Sequence, residues 1–430
     1  MARDDRRGQH RRARRRRFCS ILPRIRARPV LVCLGLLLLC ASGAVLGIRY
    51  LRSVEGNDAR NWIIAITSSL MDRAPHATDD TAPLRYRVSN PLGVNTFLEQ
   101  EADPEKRRRT LEMARDAGFH WVRQQFPWAD LEPDEKGRFV GQFGEDSWAK
   151  YDEIVALANE LGLELIVRLD TTPKWARPGN AHVATPPDNL DDYGDYVAAV
   201  VGRYRGRVRY YQLWNEPNLS VEWGMRPVDP VAATALLRVG YTRAKEADPN
   251  AVILAPALAP TIADDASAEN DLLFLQRMYD AGAGPYFDIG SVQAYGLRNG
   301  PDDHRLRPGD VNFSRPILTR ELMVRNGDAT KPIWASEVGW NAPDGDVPGP
   351  YVWGQTTPDQ QARYTVRAFE RAREQWPWMG VMNVWYLKRA DASDLHTLLG
   401  GFRLLDPEFT PRPAYLAMQQ YAKAMGYLRG

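Results

Sequence analysis

From Pro91 to the C-terminus, short apolar runs alternate with longer segments of helical period, and they do so eight times. The runs lie approximately at Gly93–Phe97, Phe119–Gln125, Leu163–Leu169, Val208–Trp214, Ala251–Ala257, Phe287–Ala294, Pro332–Glu337 and Val381–Tyr386. They are rich in β-branched and aromatic side chains, the composition of strands buried on both faces. Helices are expected near Pro104–Ala117, Asp146–Leu161, Asn189–Tyr204, Pro230–Ala247, Asp271–Ala281, Pro316–Asn326 and Asp359–Gln375, with a closing one near Pro413–Met425. Strand followed by crossover helix, repeated, specifies a parallel sheet.

Local punctuation agrees with this division. Asp229-Pro230 places an N-cap before a proline at the first helical position, and the glycines of Ala117-Gly118 and Asn326-Gly327 stand where a helix end takes a left-handed residue. A doubly wound open sheet would alternate in the same way, but no glycine-rich phosphate loop follows the first strand. Eight units close a barrel. The expected fold class is therefore α/β, a (β/α)8 TIM barrel over residues 87–430 preceded by one N-terminal transmembrane helix; such barrels commonly need about 250 residues and more with insertions.

The helix in question spans residues 29–48, which hold no charged side chain. Twenty helical residues extend about 30 Å, the thickness of a hydrocarbon core. The first 28 residues carry twelve arginines against two aspartates and read as a basic cytoplasmic tail that places the barrel outside. Residues 49–86 read as a stalk or linker. A cleaved signal peptide, giving a secreted chain, is the alternative, although its apolar region is normally shorter.

The tail accounts for +10 of a formal charge of +2, so residues 29–430 carry −8. A mildly acidic domain lacks the basic face that phosphate backbones require, which argues against nucleic acid as a partner. All three cysteines precede residue 41, and the six histidines are scattered, so neither a thiolate nucleophile nor a metal site is expected in the barrel. No cofactor is expected, and oligomeric state is not readable.

Barrel active sites are built where strands end and the following loops begin. The fourth strand terminates in Trp214-Asn215-Glu216-Pro217 and the seventh in Ser336-Glu337-Val338-Gly339-Trp340. Two glutamates at these ends can straddle a sugar ring with carboxyls about 5 Å apart, one attacking while the other donates a proton. Alone, an Asn-Glu-Pro turn is weak evidence; joined by Glu337, Arg123, Tyr295 and Trp385 on the appropriate strands, far apart in sequence, it becomes strong.

These two motifs resemble the acid/base and nucleophile motifs of clan A glycoside hydrolases, with the character of families 5 and 39, the cellulase- and β-xylosidase-like members. The likeness runs from about Gly93 to the end, including Leu404-Leu405-Asp406 and Pro411-Arg412-Pro413-Ala414-Tyr415. It implies that Glu216 is the acid/base, Glu337 the nucleophile of a retaining reaction on a carbohydrate, and Asn215 the partner of a sugar 2-hydroxyl. By the same likeness Arg123 and Tyr295 support the nucleophile, and Trp385 is the platform under the reacting ring. One departure is that Gln293-Ala294 stands where such enzymes often show histidine and proline; Gln293 can still bond a hydroxyl. Trp175 and Trp340, with Trp128, Trp223 and Trp353, follow strand ends and are candidates for further sugar contacts. Hydrolysis and transglycosylation share the covalent intermediate and stay undivided here, and a non-catalytic carbohydrate-binding barrel is the other class of reading.

Overall fold

The computed structural model describes residues 83–345, 347, 353–393 and 395–428. The tail at 1–28, the membrane span at 29–48 and all but the last residues of the stalk lie outside them. Among the described residues no helix is long and apolar enough to cross a membrane.

Among the described residues eight strands, β1 Leu92–Thr96, β2 Trp121–Gln125, β3 Glu164–Leu169, β4 Tyr210–Leu213, β5 Val252–Leu254, β6 Gly290–Tyr295, β7 Ile333–Gly339 and β8 Met379–Val384, alternate with eight main helices. These are α1 Pro104–Asp116, α2 Ala149–Glu160, α3 Leu190–Arg203, α4 Pro230–Ala247, α5 Asp271–Asp280, α6 Arg315–Arg325, α7 Pro358–Gln375 and α8 Pro413–Ala424. The sheet order is β5-β4-β3-β2-β1-β8-β7-β6, and the pairs are parallel. Its two ends meet through parallel bridges, Leu254 with Ile289 and Leu258 with Val292, and through a hydrogen bond from the Ala255 amide to the Ile289 carbonyl at 3.0 Å. That contact closes the barrel.

Boundaries moved for identifiable reasons. The fifth strand is three residues long where seven were expected. Pro256 has no N–H to offer the ladder, and Ala257 pairs again only as an isolated bridge to Asn215. Strand β7 runs on to Gly339, past the glutamate taken as its end. The caps fell where the sequence put them: the Asp229 carboxylate accepts from the amides of Val231 and Ala232 at 2.9 and 3.0 Å, and Gly118 and Gly327 have φ of 86° and 88°.

Strand side chains alternate between the helix layer and the barrel interior. Val122 of β2 and Tyr211 of β4 pack outward in the main core, while Trp121, Ile166, Val252, Leu254, Ile289, Trp334 and Val381 form a separate apolar cluster inside. There Trp121 and Trp334 meet edge to face at 4.9 Å. Burying each large side chain contributes about 2 kcal/mol, and the aromatic pair adds about 1 kcal/mol. This plug is a dry floor, and the next inward layer toward the strands' C-terminal ends is polar.

Candidate active site

That polar layer is built from alternate residues of the same strands: Asn95 on β1, Arg123 on β2, Gln212 on β4, and Gln293 and Tyr295 on β6, all buried. The Arg123 guanidinium donates to Gln212 Oε1 at 2.8 Å, Asn95 Oδ1 at 2.7 Å, Asn215 Oδ1 at 2.9 Å and Glu337 Oε1 at 3.1 Å. Burial pushes its pKa down to about 10, a shift that Glu337 opposes, so it remains charged at neutral pH. Burying an unpaired ion costs several kcal/mol, and here the carboxylate and three amide oxygens offset it. Asn95 also ties the strands together, donating to the carbonyls of Ser336 on β7 at 2.9 Å and Val384 at the end of β8 at 3.3 Å.

Glu337 reaches this layer because β7 is irregular. Strict alternation from the inward Trp334 would send Glu337 outward. The pairing with β6 instead jumps from Val292–Ala335 to Gln293–Glu337, passing over Ser336. One extra residue reverses the facing of everything after it, so Ala335 and Val338 both pack in the outer core and Glu337 turns in. Its second oxygen accepts from the Tyr295 hydroxyl at 2.6 Å. Burial and the adjacent Glu337 drive the Tyr295 pKa well above its ordinary value, which keeps that proton on the phenol.

Glu216 enters from β4 through a contorted strand end. Trp214 and Glu216 have φ of 66° and 47°, a left-handed conformation that costs of order 1 kcal/mol or more for a residue with a side chain. The Glu216 amide bonds to the Ala257 carbonyl at 2.8 Å, and the Trp214 indole donates to the Glu222 carbonyl at 3.1 Å, which anchors the turn. Gln293 donates to Glu216 Oε1. Burial, then the negative charges of Glu337 and Glu222, push the Glu216 pKa up to about 8. Asn215 spends its oxygen on Arg123, which leaves its amide nitrogen as the donor.

The expected residues divide into two groups. Arg123, Glu337, Tyr295 and Asn215 are joined by hydrogen bonds, and Glu216 and Gln293, bonded to each other, are their neighbours in chain and register. Trp385 is half-buried directly after β8, edge-on to Phe97 at 5.4 Å, and Trp353 stands 5.8 Å from the Tyr295 ring. Trp340, by contrast, is 0% exposed, with its indole N–H on the Asn299 carbonyl at 2.7 Å and its faces against Phe313 and Tyr364. That packing leaves it no face for a sugar. Trp128 and Trp223 are likewise buried. Trp175 keeps partial exposure, its N–H bonded to the Glu132 carbonyl at 2.8 Å.

Sequence reasoning passed over Asn95 and Gln212, whose signal was an amide inside an otherwise apolar strand. It also passed over a polar cleft of about 490 Å³ at the ends of β1 to β4, lined in part by Glu99, Gln125, Arg168, Asp170, Trp214 and Glu222. Two of its lining residues, Arg168 and Glu222, act electrostatically on Glu216, and its size suits a small ligand.

Fold and site together give a (β/α)8 barrel with two carboxyls at the ends of β4 and β7, the arrangement glycoside hydrolases use. Within that class, the family model for cellulase, glycosyl hydrolase family 5, matches residues 83–271, which run from before β1 to the start of α5 and include Glu216. Similar solved structures include a family 39 glycoside hydrolase from the gut symbiont Bacteroides cellulosilyticus WH2, at 22% identity and TM-score 0.60 over 80% of this chain and 64% of that one. A family 39 β-xylosidase from Caulobacter crescentus matches at 20% identity and TM-score 0.54 over 79% of this chain and 73% of that one. An endo-β-1,4-mannanase from Thermotoga petrophila matches at 16% identity and TM-score 0.53 over 80% and 78% respectively. The chain thus spans just under two thirds of the Bacteroides protein. None of the curated proteins compared with the sequence matches it. The structural likenesses bear on the barrel and the family match on its first five strands, and the resemblance to clan A glycoside hydrolases stands on both.

Proposed function

We propose that this chain is a retaining β-glycoside hydrolase that cleaves an oligosaccharide or polysaccharide by double displacement, with Glu337 as nucleophile and Glu216 as acid/base. The observation that carries this reading is the unequal setting of two carboxyls in one buried site. Glu337 has a guanidinium and a phenol hydroxyl on its two oxygens, the partners of an attacking anion. Glu216 is half-buried, and its desolvation, with the negative charge of Glu337 beside it, holds a proton on it near neutral pH.

The steps follow from those states. The Glu337 carboxylate forms a bond to the anomeric carbon as the bond to the leaving oxygen breaks, and Glu216 gives that oxygen its proton. Water then attacks the same carbon, its proton passes to Glu216, and Glu337 is released as carboxylate. Two displacements at one carbon return the original configuration. Asn215, held by Arg123, has its nitrogen free to donate to the ring's 2-hydroxyl, and Trp385 offers an aromatic face.

Aryl β-xylosides, β-glucosides and β-mannosides form a suitable first panel, given the resemblance to cellulases and the similarity of the fold to the xylosidase and mannanase structures. Proton magnetic resonance of fresh product should show the β-anomer first. The alkaline limb of kcat/KM should fall near pH 8, because the first step needs protonated Glu216 and the acid is lost as pH rises through its pKa of about 8. An α-anomer as first product overturns the mechanism, and no turnover on any glycan leaves the binding-barrel reading in its place.

The site's location outside the cytoplasm is part of the proposal. Its support is the arginine-rich first 28 residues before the uncharged stretch at 29–48. Protease added to spheroplasts should digest the barrel, and complete protection there would reverse the topology.

A further inference from the structure

Gln293 occupies the position where the sequence departs from the family pattern, and its contact is with the enzyme itself. It is 4% exposed on β6, opposite Glu337 in the β6–β7 register, and its Nε2 donates to Oε1 of Glu216. An amide nitrogen can only donate. The oxygen facing it must therefore accept whether or not Glu216 carries a proton, and a proton on that carboxyl resides on the other oxygen.

We propose that Gln293 is the positioning residue of the acid/base: its N–H fixes Oε1 of Glu216 as an acceptor, so the transferable proton sits on Oε2, the oxygen left to meet the glycosidic bond. The proposal rests on Glu216 being the acid/base. A carboxylic acid whose proton is free to occupy either oxygen spends part of its time with the proton turned away from the leaving group, and a single fixed donor removes that state. The same N–H is available after the proton has gone, when it bonds the carboxylate more strongly and supports the base that activates water. One N–H of that nitrogen is thereby committed to Glu216, and the second N–H and the Gln293 oxygen remain for a sugar hydroxyl. A glutamine does not titrate, so the site gains no further ionisation near neutral pH from this position, as a histidine would add.

Other groups act on Glu216 from around the barrel. Glu337 faces it from β7 and Glu222 from the turn after β4, both raising its proton affinity, while Arg168 on β3 lowers it. Tyr295 on β6 and Arg123 on β2 act through Glu337, which they hold. Gln293 lowers the proton affinity from β6 itself.

The test uses the full-length protein with carbon-13 in its glutamate carboxyls, the Glu216 resonance being assigned by its loss in Glu216→Gln. Gln293→Met keeps the volume and removes the N–H. It should raise the proton affinity of Glu216 on the order of tenfold, the effect of losing a hydrogen bond to a charged group. On an aryl glycoside the same variant should lower kcat more than kcat/KM where water attack limits turnover. Gln293→His restores a donor and should return the Glu216 titration to the wild-type position or below, with a second ionisation visible in the pH profile. A Glu216 titration that Gln293→Met leaves unmoved, or that Gln293→His raises as Gln293→Met does, overturns the positioning role. If instead azide fails to rescue Glu216→Ala, the acid/base reading itself has failed. The azide and titration results separate the two failures.

Discussion

Glu337→Ala is expected to lower kcat on every substrate by roughly 10⁴- to 10⁶-fold, the loss seen when a covalent nucleophile is removed. The size follows from the site's construction. In the proposed mechanism Glu337, on β7, attacks, and Glu216 cannot replace it, since it enters from β4 with one oxygen bound to Gln293. The alanine leaves a small void whose wall still holds Arg123 Nη1 and the Tyr295 hydroxyl, donors that had served Glu337. Azide or formate should enter that void and bond to those donors, attacking the anomeric carbon from the side the glutamate had used. Only one displacement then occurs, so the rescued product should be inverted. Proton magnetic resonance gives its configuration directly. A rescued product of retained configuration would remove Glu337 from the nucleophile's role, and a variant near wild-type activity would remove it from the mechanism.

The barrel and its glutamates were legible for one shared reason: a polar residue at the end of an apolar strand breaks a pattern that burial otherwise enforces. The facing of Glu337 was not legible. Counting from Trp334 by twos points the glutamate outward, and only the skipped pairing at Ser336 turns it in. A bulge is a feature of pairing with a neighbour far off in the chain, so a strand read alone cannot show it. Asn95 and Gln212 did carry a signal, since an amide within a buried strand must find partners. Their partner turned out to be Arg123, which needed several acceptors to be buried at all.

Trp340 marks the opposite limit. Like Trp385 it follows a strand closely, and in sequence the two positions look alike. They differ in what packs over them: Phe313 from the segment before α6 and Tyr364 from α7 enclose Trp340, whereas Trp385 keeps one edge on Phe97 at the barrel mouth. Tertiary enclosure of that kind leaves no mark on the residues it covers.

Glu216→Ala should fail differently from Glu337→Ala, and the contrast is the sharper test of the assignment. General acid catalysis contributes about 10²- to 10⁴-fold, and that loss should appear in full for a poor leaving group such as an alkoxide. A dinitrophenolate departs without a proton, so kcat/KM for its glycoside should change little. Glu337, Arg123 and Tyr295 remain in place in this variant, and the glycosyl-enzyme still forms. Water attack then lacks its base, so the intermediate accumulates and is observable as a mass increase of one glycosyl unit on Glu337. Azide needs no base, and it should discharge that intermediate with retained configuration, opposite to the product rescued from Glu337→Ala. The two variants therefore give two anomers from one substrate. If both rescued products share a configuration, or if Glu216→Ala loses the activated and unactivated substrates equally, Glu216 is not the acid/base.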